Sequence, residues 1–167
     1  MIPGQALGAD RRVEKMSGSK ESCSILVWRT LKDVWKIWYR QAEKNLSRIG
    51  LNNMEYTVLR VLSENGSLSM VQLANLTNVT QGWITSIVDK LEEKKLAERM
   101  RGSDDRRIIM IQITRAGNKL LARARDIHSK FVEESVKALE KNEISDLLAI
   151  LEKMKLSLSE ESAEQVA

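Results

Sequence analysis

Three observations predict a mainly helical chain carrying one small β-hairpin, an α+β fold. Apolar residues recur at spacings of three and four through most of the sequence. Several of these runs are preceded by residues suited to capping a helix. Between Leu96 and Ile113 the periodicity changes to two short β-prone runs around a polar tip. The sole proline is Pro3, so no later helix is forced to break. Hydrophobic residues make up 43% of the 167 and charged residues 30%, enough for the core of one helix-rich domain.

Residues 1–21 mix Gly, Ser, Asp, Arg and Lys without periodicity and are expected to form a flexible arm. A long helix follows from Ser22 to Ser47, with Val27, Leu31, Val34, Trp38 and Ala42 along one side. Ile49-Gly50 ends it. Asn52 and Glu55 then have the spacing of a capping box, with Leu51 and Tyr56 at the two hydrophobic-staple positions. The helix they open stops at Asn65-Gly66. Ser69 and Gln72 repeat the device, with Leu68 and Leu73 as staple, for a short helix through Leu76 or Thr77. Thr77-Asn78-Val79 makes a tight connection, in which Asn78 tolerates left-handed backbone. Thr80 caps the next helix, which runs to about Lys94 and buries Ile84, Ile87, Val88 and Leu91. Two short helices joined by so short a turn form a helix-turn-helix.

The two β-prone runs are Leu96–Arg101 and Ile108–Ile113, joined by Gly102, Ser103, Asp104, Asp105, Arg106 and Arg107. A hairpin with arginines at its tip, directly after such a helix, has the layout of a DNA-binding wing. Thr114 caps a further helix to about Leu139, with Leu120, Ala124, Ile127, Phe131 and Val136 on its apolar side. A last helix from Asn142 to Leu158 carries Ile144, Leu147, Leu148, Leu151, Met154 and Leu158 at a spacing suited to packing on another helix. Residues 159–167 form an acidic end expected to fray.

The net charge of +4 permits an anionic partner without requiring one. No apolar run reaches the roughly 18 residues of a membrane span, so the cytoplasm is the expected location. One cysteine, Cys23, and one histidine, His128, supply neither a metal cluster nor a catalytic triad, and no cofactor is implied. The chain is not expected to be an enzyme.

With these elements in place, the chain resembles the MarR family of winged helix-turn-helix transcription regulators from about Ser22 to Leu158. Asp105-Arg106-Arg107, a hydrophobic run, and Thr114-Arg115-Ala116-Gly117 mirror the family's wing pattern of Asp-x-Arg, strand, and Leu-Thr-x-x-Gly. Leu73-Ala74, Val79-Thr80 and Ile84 to Leu91 match its helix-turn-helix, with Asp89-Lys90-Leu91-Glu92 close to the usual helix ending. The departures are Lys95 where the family often has Gly, Ser86 where a basic residue is common, Trp83 where a small polar residue is commoner, and Ile113 for Leu.

In a helix-turn-helix the N-terminal part of the second helix meets base edges. Gln81 is placed to pair with adenine, and Thr80, Trp83 or Thr85 to pack on a thymine methyl, with Ser86 and Lys90 on the same outer side. Ser69, Thr77 and Asn78, at helix starts and turns, suit phosphate oxygens. At the wing, Arg106 and Arg107 are the minor-groove candidates, and Asp105 orients one of them by ion pairing. The family pattern implies that Asp105 holds Arg107 and leaves Arg106 freer.

The resemblance further implies a homodimer formed by the N- and C-terminal helices, residues 22–48 and 114–158, around a DNA-binding lobe at 51–113. It implies a repressor on a pseudo-palindromic promoter site in double-stranded DNA, released by a small aromatic, phenolic or lipophilic ligand. Lys32, Trp35, Lys36 and Tyr39 are the candidate ligand residues, as a ring-stacking surface with basic partners. Two other readings stay open: a low-specificity architectural DNA binder, because the second helix has no arginine, and a redox-sensing regulator using Cys23.

Overall fold

The structure, a computed structural model, describes the backbone of residues 22–101 and 108–164 and the side chains of these through residue 159. In chain order the elements are α1 (Cys23–Ser47), α2 (Asn53–Asn65), β1 (Leu68–Ser69), α3 (Met70–Thr77), α4 (Gln81–Glu93), β2 (Ala97–Arg101), β3 (Ile109–Ile113), α5 (Arg115–Val136) and α6 (Lys141–Glu164). The chain divides into two compact units, residues 1–44 and 45–167. Described residues of the first unit are the helical 23–44 and Ser22, with Val27, Trp28, Leu31, Val34, Trp35 and Ile37 all exposed.

The second unit holds the core. Leu51, Val58, Leu59 and Leu62 pack with Leu73, Ala74, Ile84, Ile87, Val88, Leu91, Ile111, Leu121 and Ala124. Local chemistry sets the helix starts as the sequence predicts. Asn52 Oδ1 accepts from the Glu55 amide (2.7 Å), and Glu55 Oε2 accepts from the Asn52 amide (3.0 Å). Ser69 and Gln72 exchange the same two bonds. Both staple pairs, Leu51 with Tyr56 and Leu68 with Leu73, are buried. The stripe Ile84, Ile87, Val88 and Leu91 is buried as expected.

The sheet departs from expectation in having three strands, ordered β1-β3-β2 and antiparallel throughout. Leu68 pairs with Ile111 and Ser69 with Met110, so the two residues before α3 cover the free edge of the hairpin. β2 and β3 pair from Ala97 with Ile113 to Arg101 with Ile109, each strand starting one residue later than the sequence suggests. α5 ends at Val136, short of Leu139. Its fully buried apolar residues are Leu121 and the expected Ala124, while the predicted Leu120 is only partly buried against the core. α6 continues to Glu164, beyond the Leu158 where its apolar pattern stops. Serine and glutamate prolong a helix without adding to a periodic apolar pattern.

Long-range ties fix how the helices meet. Glu55 is the one buried charged side chain among the described residues, and Lys94 Nζ lies 2.7 Å from its Oε1. The same ammonium donates to the Gly50 carbonyl (2.9 Å), joining the entrance to α2 with the end of α4. That end closes on Lys95, which adopts a left-handed φ of 59° while Leu96 N–H reaches back to the Leu91 carbonyl (2.8 Å). A side chain here costs about 1 kcal/mol. Lys95→Gly is therefore expected to raise the urea midpoint, by about 0.5–1 kcal/mol of stability with an unchanged m-value.

The His128 ring of α5 lies tilted beside those of Tyr56 (5.1 Å between centroids) and Phe131 (6.4 Å). Burial first, and the Arg60 guanidinium second, hold its imidazole below the ordinary 6.5. The neutral ring is thus favoured in the folded state. Its contribution to stability is present above pH 6.5 and is lost as the pH falls through the lower folded value. His128→Gln should remove that part of the slope in melting temperature measured from about pH 7 downward.

Candidate nucleic-acid interface

α3 and α4 form the helix-turn-helix. Asn78 turns the chain between them with φ 54°, and Thr80 caps α4 by accepting from the Trp83 amide (3.4 Å). Because Ile84, Ile87, Val88 and Leu91 face the core, Gln81, Gly82, Trp83, Thr85, Ser86 and Lys90 are left exposed. Two hydroxyls on this surface turn back onto their own helix. Thr85 Oγ1 donates to the Gln81 carbonyl (2.8 Å) and Ser86 Oγ to the Gly82 carbonyl (3.3 Å). Their oxygens keep accepting capacity, but their protons are committed. Trp83 is 52% exposed. The candidate DNA-facing surface of α4 therefore offers an amide, an indole, two self-bonded hydroxyls and, two turns on, an ammonium.

Ser69 and Thr77 sit at opposite ends of α3. Ser69 Oγ accepts from the Gln72 amide (3.3 Å), and Thr77 Oγ1 donates to the Leu73 carbonyl (2.7 Å). Both serve their helix first. Asn78, at the turn, is exposed.

β2 and β3 form the base of the hairpin, and Asp105, Arg106 and Arg107 lie outside the described residues. The base is anchored by a residue that sequence reasoning missed. Arg99 of β2 contacts Glu92 through one guanidinium nitrogen and Asp89 through the other, the latter at 2.7 Å. Its amide also donates to Glu92 Oε1 (3.0 Å). Two carboxylates of α4 thus hold β2, the first strand of the hairpin. The only sequence signal was the acidic pair within Asp89-Lys90-Leu91-Glu92; nothing local named its partner.

A second anchor is Thr114-Arg115-Ala116-Gly117. Thr114 Oγ1 accepts from the Gly117 amide (3.0 Å) and donates to the Lys95 carbonyl (2.8 Å). Thr114 N–H bonds the Leu96 carbonyl (3.0 Å). Gly117 packs directly on this junction: a Cβ there would collide with the Leu96 carbonyl oxygen and stand 2.7 Å from Ile113 Cγ1. The threonine and the glycine have one purpose, to seat the start of α5 on the root of the wing.

On α1, Trp35, Lys36 and Tyr39 line a shallow open groove together with Arg40 and Glu43. Trp35 stacks on Trp38 (5.8 Å, 19°) and lies 5.9 Å from Tyr39. Lys32, expected with them, is not among the lining residues; its Nζ sits 4.1 Å over the Trp28 ring. The second cation lining the groove, beside Lys36, is Arg40. Cys23 is exposed at the first residue of α1. No helix of the described residues is long and apolar enough to cross a membrane.

Known proteins share this arrangement. The MarR family profile matches residues 51–109. The HTH-type transcriptional regulator MhqR of Bacillus subtilis is 32% identical over 114 residues, 68% of this chain and 79% of the relative. A point mutant of MarR from E. coli, solved in complex with operator DNA, superposes with a TM-score of 0.71 at 22% identity, over 78% of this chain and 94% of that one. BpsR of Bordetella bronchiseptica, whose DNA binding is regulated by 6-hydroxynicotinic acid, gives 0.71 at 19% identity, over 82% and 98%. With helix-turn-helix, three-stranded wing base and Thr-x-x-Gly anchor all in place, the chain belongs to the MarR family of DNA-binding transcriptional regulators.

Proposed function

We propose that the protein is a homodimeric repressor that occupies a pseudo-palindromic promoter site, with half-sites about one helical turn apart. In this reading α4 enters the major groove through Thr80, Gln81, Trp83, Thr85, Ser86 and Lys90. Ser69, Thr77 and Asn78 meet phosphates, and the wing, with Asp105 orienting one of Arg106 and Arg107, meets the minor groove. The observation that carries the dimer is the apolar surface a lone subunit leaves in water: Val27, Leu31 and Val34 on α1, and Ile144, Leu147, Leu148, Leu151 and Leu158 on α6. A helix that carries so many large apolar side chains in water is ordinarily covered by a partner. Residues 22–48 and 114–158 form the dimer base, and 51–113 the DNA-binding lobe.

The groove at Trp35, Lys36, Tyr39 and Arg40 supports release by a small aromatic anion, its ring on the indole and its charge on the cations. Glu43, which also lines the groove, disfavours a doubly charged anion. Release requires the ligand to bind the DNA-incompetent state more tightly than the competent one.

Arginines in the wing supply affinity that α4, with no arginine of its own, does not. Arg106→Ala with Arg107→Ala should weaken operator binding by about tenfold or more and flatten the salt dependence by about one unit per lost phosphate contact. Wild-type affinity and salt slope in the double variant would remove the wing from the interface. The same arginine-free helix favours a second reading, a low-specificity architectural binder. A footprint separates the two, since the repressor protects one short palindrome and the architectural protein binds unrelated duplexes equally.

A further inference from the structure

We propose that α4 reads its operator through thymine methyl groups, with Trp83 as the reading side chain and Gly82 as the residue that lets the helix backbone sit close to the bases. This rests on the proposal that α4 is the helix in the major groove.

Gly82 supplies the first observation. A Cβ built there meets nothing within 4 Å, and its φ is not left-handed. The fold has no use for a glycine at this position, yet in the first turn of a helix glycine is less favourable than alanine. The residue lies on the side of α4 opposite the buried Ile84, Ile87, Val88 and Leu91. One turn on is Ser86, small and folded back onto the Gly82 carbonyl. The outermost line of the first two turns is thus nearly bare backbone, flanked by Trp83 on one side and by Gln81 and Thr85 on the other.

Trp83 supplies the second. It is the one large apolar side chain of α4 outside the core stripe, and half its surface is in water. Leaving an indole exposed forfeits hydrophobic free energy unless something outside the subunit covers it.

The chemistry of the groove selects the occupant. Guanine is read by the bidentate fork of an arginine, which α4 lacks, or by a lysine, and the one lysine of α4, Lys90, stands two turns beyond the first turn of the helix. Asp89 and Glu92, which are acceptors for a cytosine amine, are engaged by Arg99. In the first two turns the Thr85 and Ser86 hydroxyl protons are committed to their own helix, which leaves one amide, Gln81, matched to adenine N6 and N7, and one large apolar surface, Trp83. The apolar group in the major groove is the C5 methyl of thymine. Both readers therefore point to A·T pairs, and Trp83 to the thymine side of them.

The test uses the full-length protein and an operator selected from a random DNA pool. Each thymine of a half-site is replaced in turn by deoxyuridine, which deletes the methyl and keeps the base pair. Wild-type protein should lose about fourfold in affinity at one or two positions, the value of one buried methyl. Trp83→Ala should bind the thymine operator more weakly and show no further loss with uracil at those positions. Gly82→Ala should raise the melting temperature and still weaken operator binding, a pairing that a merely structural glycine would not give. Indifference of the wild type to uracil at every thymine, or uracil sensitivity that survives in Trp83→Ala, would overturn the methyl reading while leaving α4 in the groove. Wild-type affinity in Gly82→Ala overturns the close approach. A pool that yields no preferred sequence overturns both this inference and the sequence-specific repressor.

Discussion

Gly117→Ala should destabilise the protein more than alanine at any other described glycine. The added Cβ falls on the Leu96 carbonyl and the Ile113 side chain, and backbone on one side with a core isoleucine on the other leaves it no direction to move. Overpacking of this kind costs about 3 kcal/mol or more where the obstacle is backbone. To relieve it, the first turn of α5 must lift from the root of the wing. That breaks the Thr114 bonds to Lys95 and to the Gly117 amide. Urea unfolding of Gly117→Ala beside Thr114→Ala checks this. The threonine variant loses only a cap and one side-chain bond, about 1–2 kcal/mol, and should unfold at the higher midpoint of the two. Equal midpoints would mean that the junction yields, and that Gly117 is not what sets the distance between α5 and the wing.

The difference between these two residues also marks how far the sequence could be read. Thr114, Asn52, Ser69 and Thr80 act on amides three residues away, so their roles are visible in a single line of text. The same holds for Ile84, Ile87, Val88 and Leu91, which announce a buried face by their spacing. Gly117 and Lys95 stood out only because the family pattern marks those positions, and the reasons lie in a contact and a dihedral angle. β1 escaped notice because two residues, Leu68 and Ser69, have no period of their own; they are a strand only through pairing with Ile111 and Met110. The ties from Glu55 to Lys94 and from Arg99 to Asp89 and Glu92 span separations at which spacing carries no information. At the groove of α1, Trp35, Lys36 and Tyr39 follow from helical spacing. Lys32 shares that spacing, but its long stem reaches the Trp28 ring instead. The wing tip was the most legible part of the candidate site by sequence, whereas the structure speaks to its root.

The largest effect on function is expected at α6, far in sequence from any residue proposed to touch DNA. Ile144, Leu147, Leu148, Leu151 and Leu158 are all exposed in the subunit, and the buried core cluster includes no residue of α6. A charge placed on this helix should therefore leave the winged-helix lobe folded, with its far-ultraviolet dichroism intact. In the proposed two-fold dimer each substitution is felt twice. Burying a leucine is worth about 2 kcal/mol, so Leu147→Asp with Leu151→Asp removes about 8 kcal/mol from association before any cost of buried charge. That is more than a roughly 100,000-fold loss in the dimerisation constant. Sedimentation should find the double variant monomeric at concentrations where the wild type is dimeric. Operator affinity should fall at least about 100-fold, because the second half-site no longer comes tethered to the first. Binding to an isolated half-site at high protein concentration should survive, since α4 and the wing are untouched. A double variant that sediments as a dimer would move the interface off α6. One that is monomeric yet holds the full operator as tightly as the wild type would show that the two half-sites are not bound as a unit.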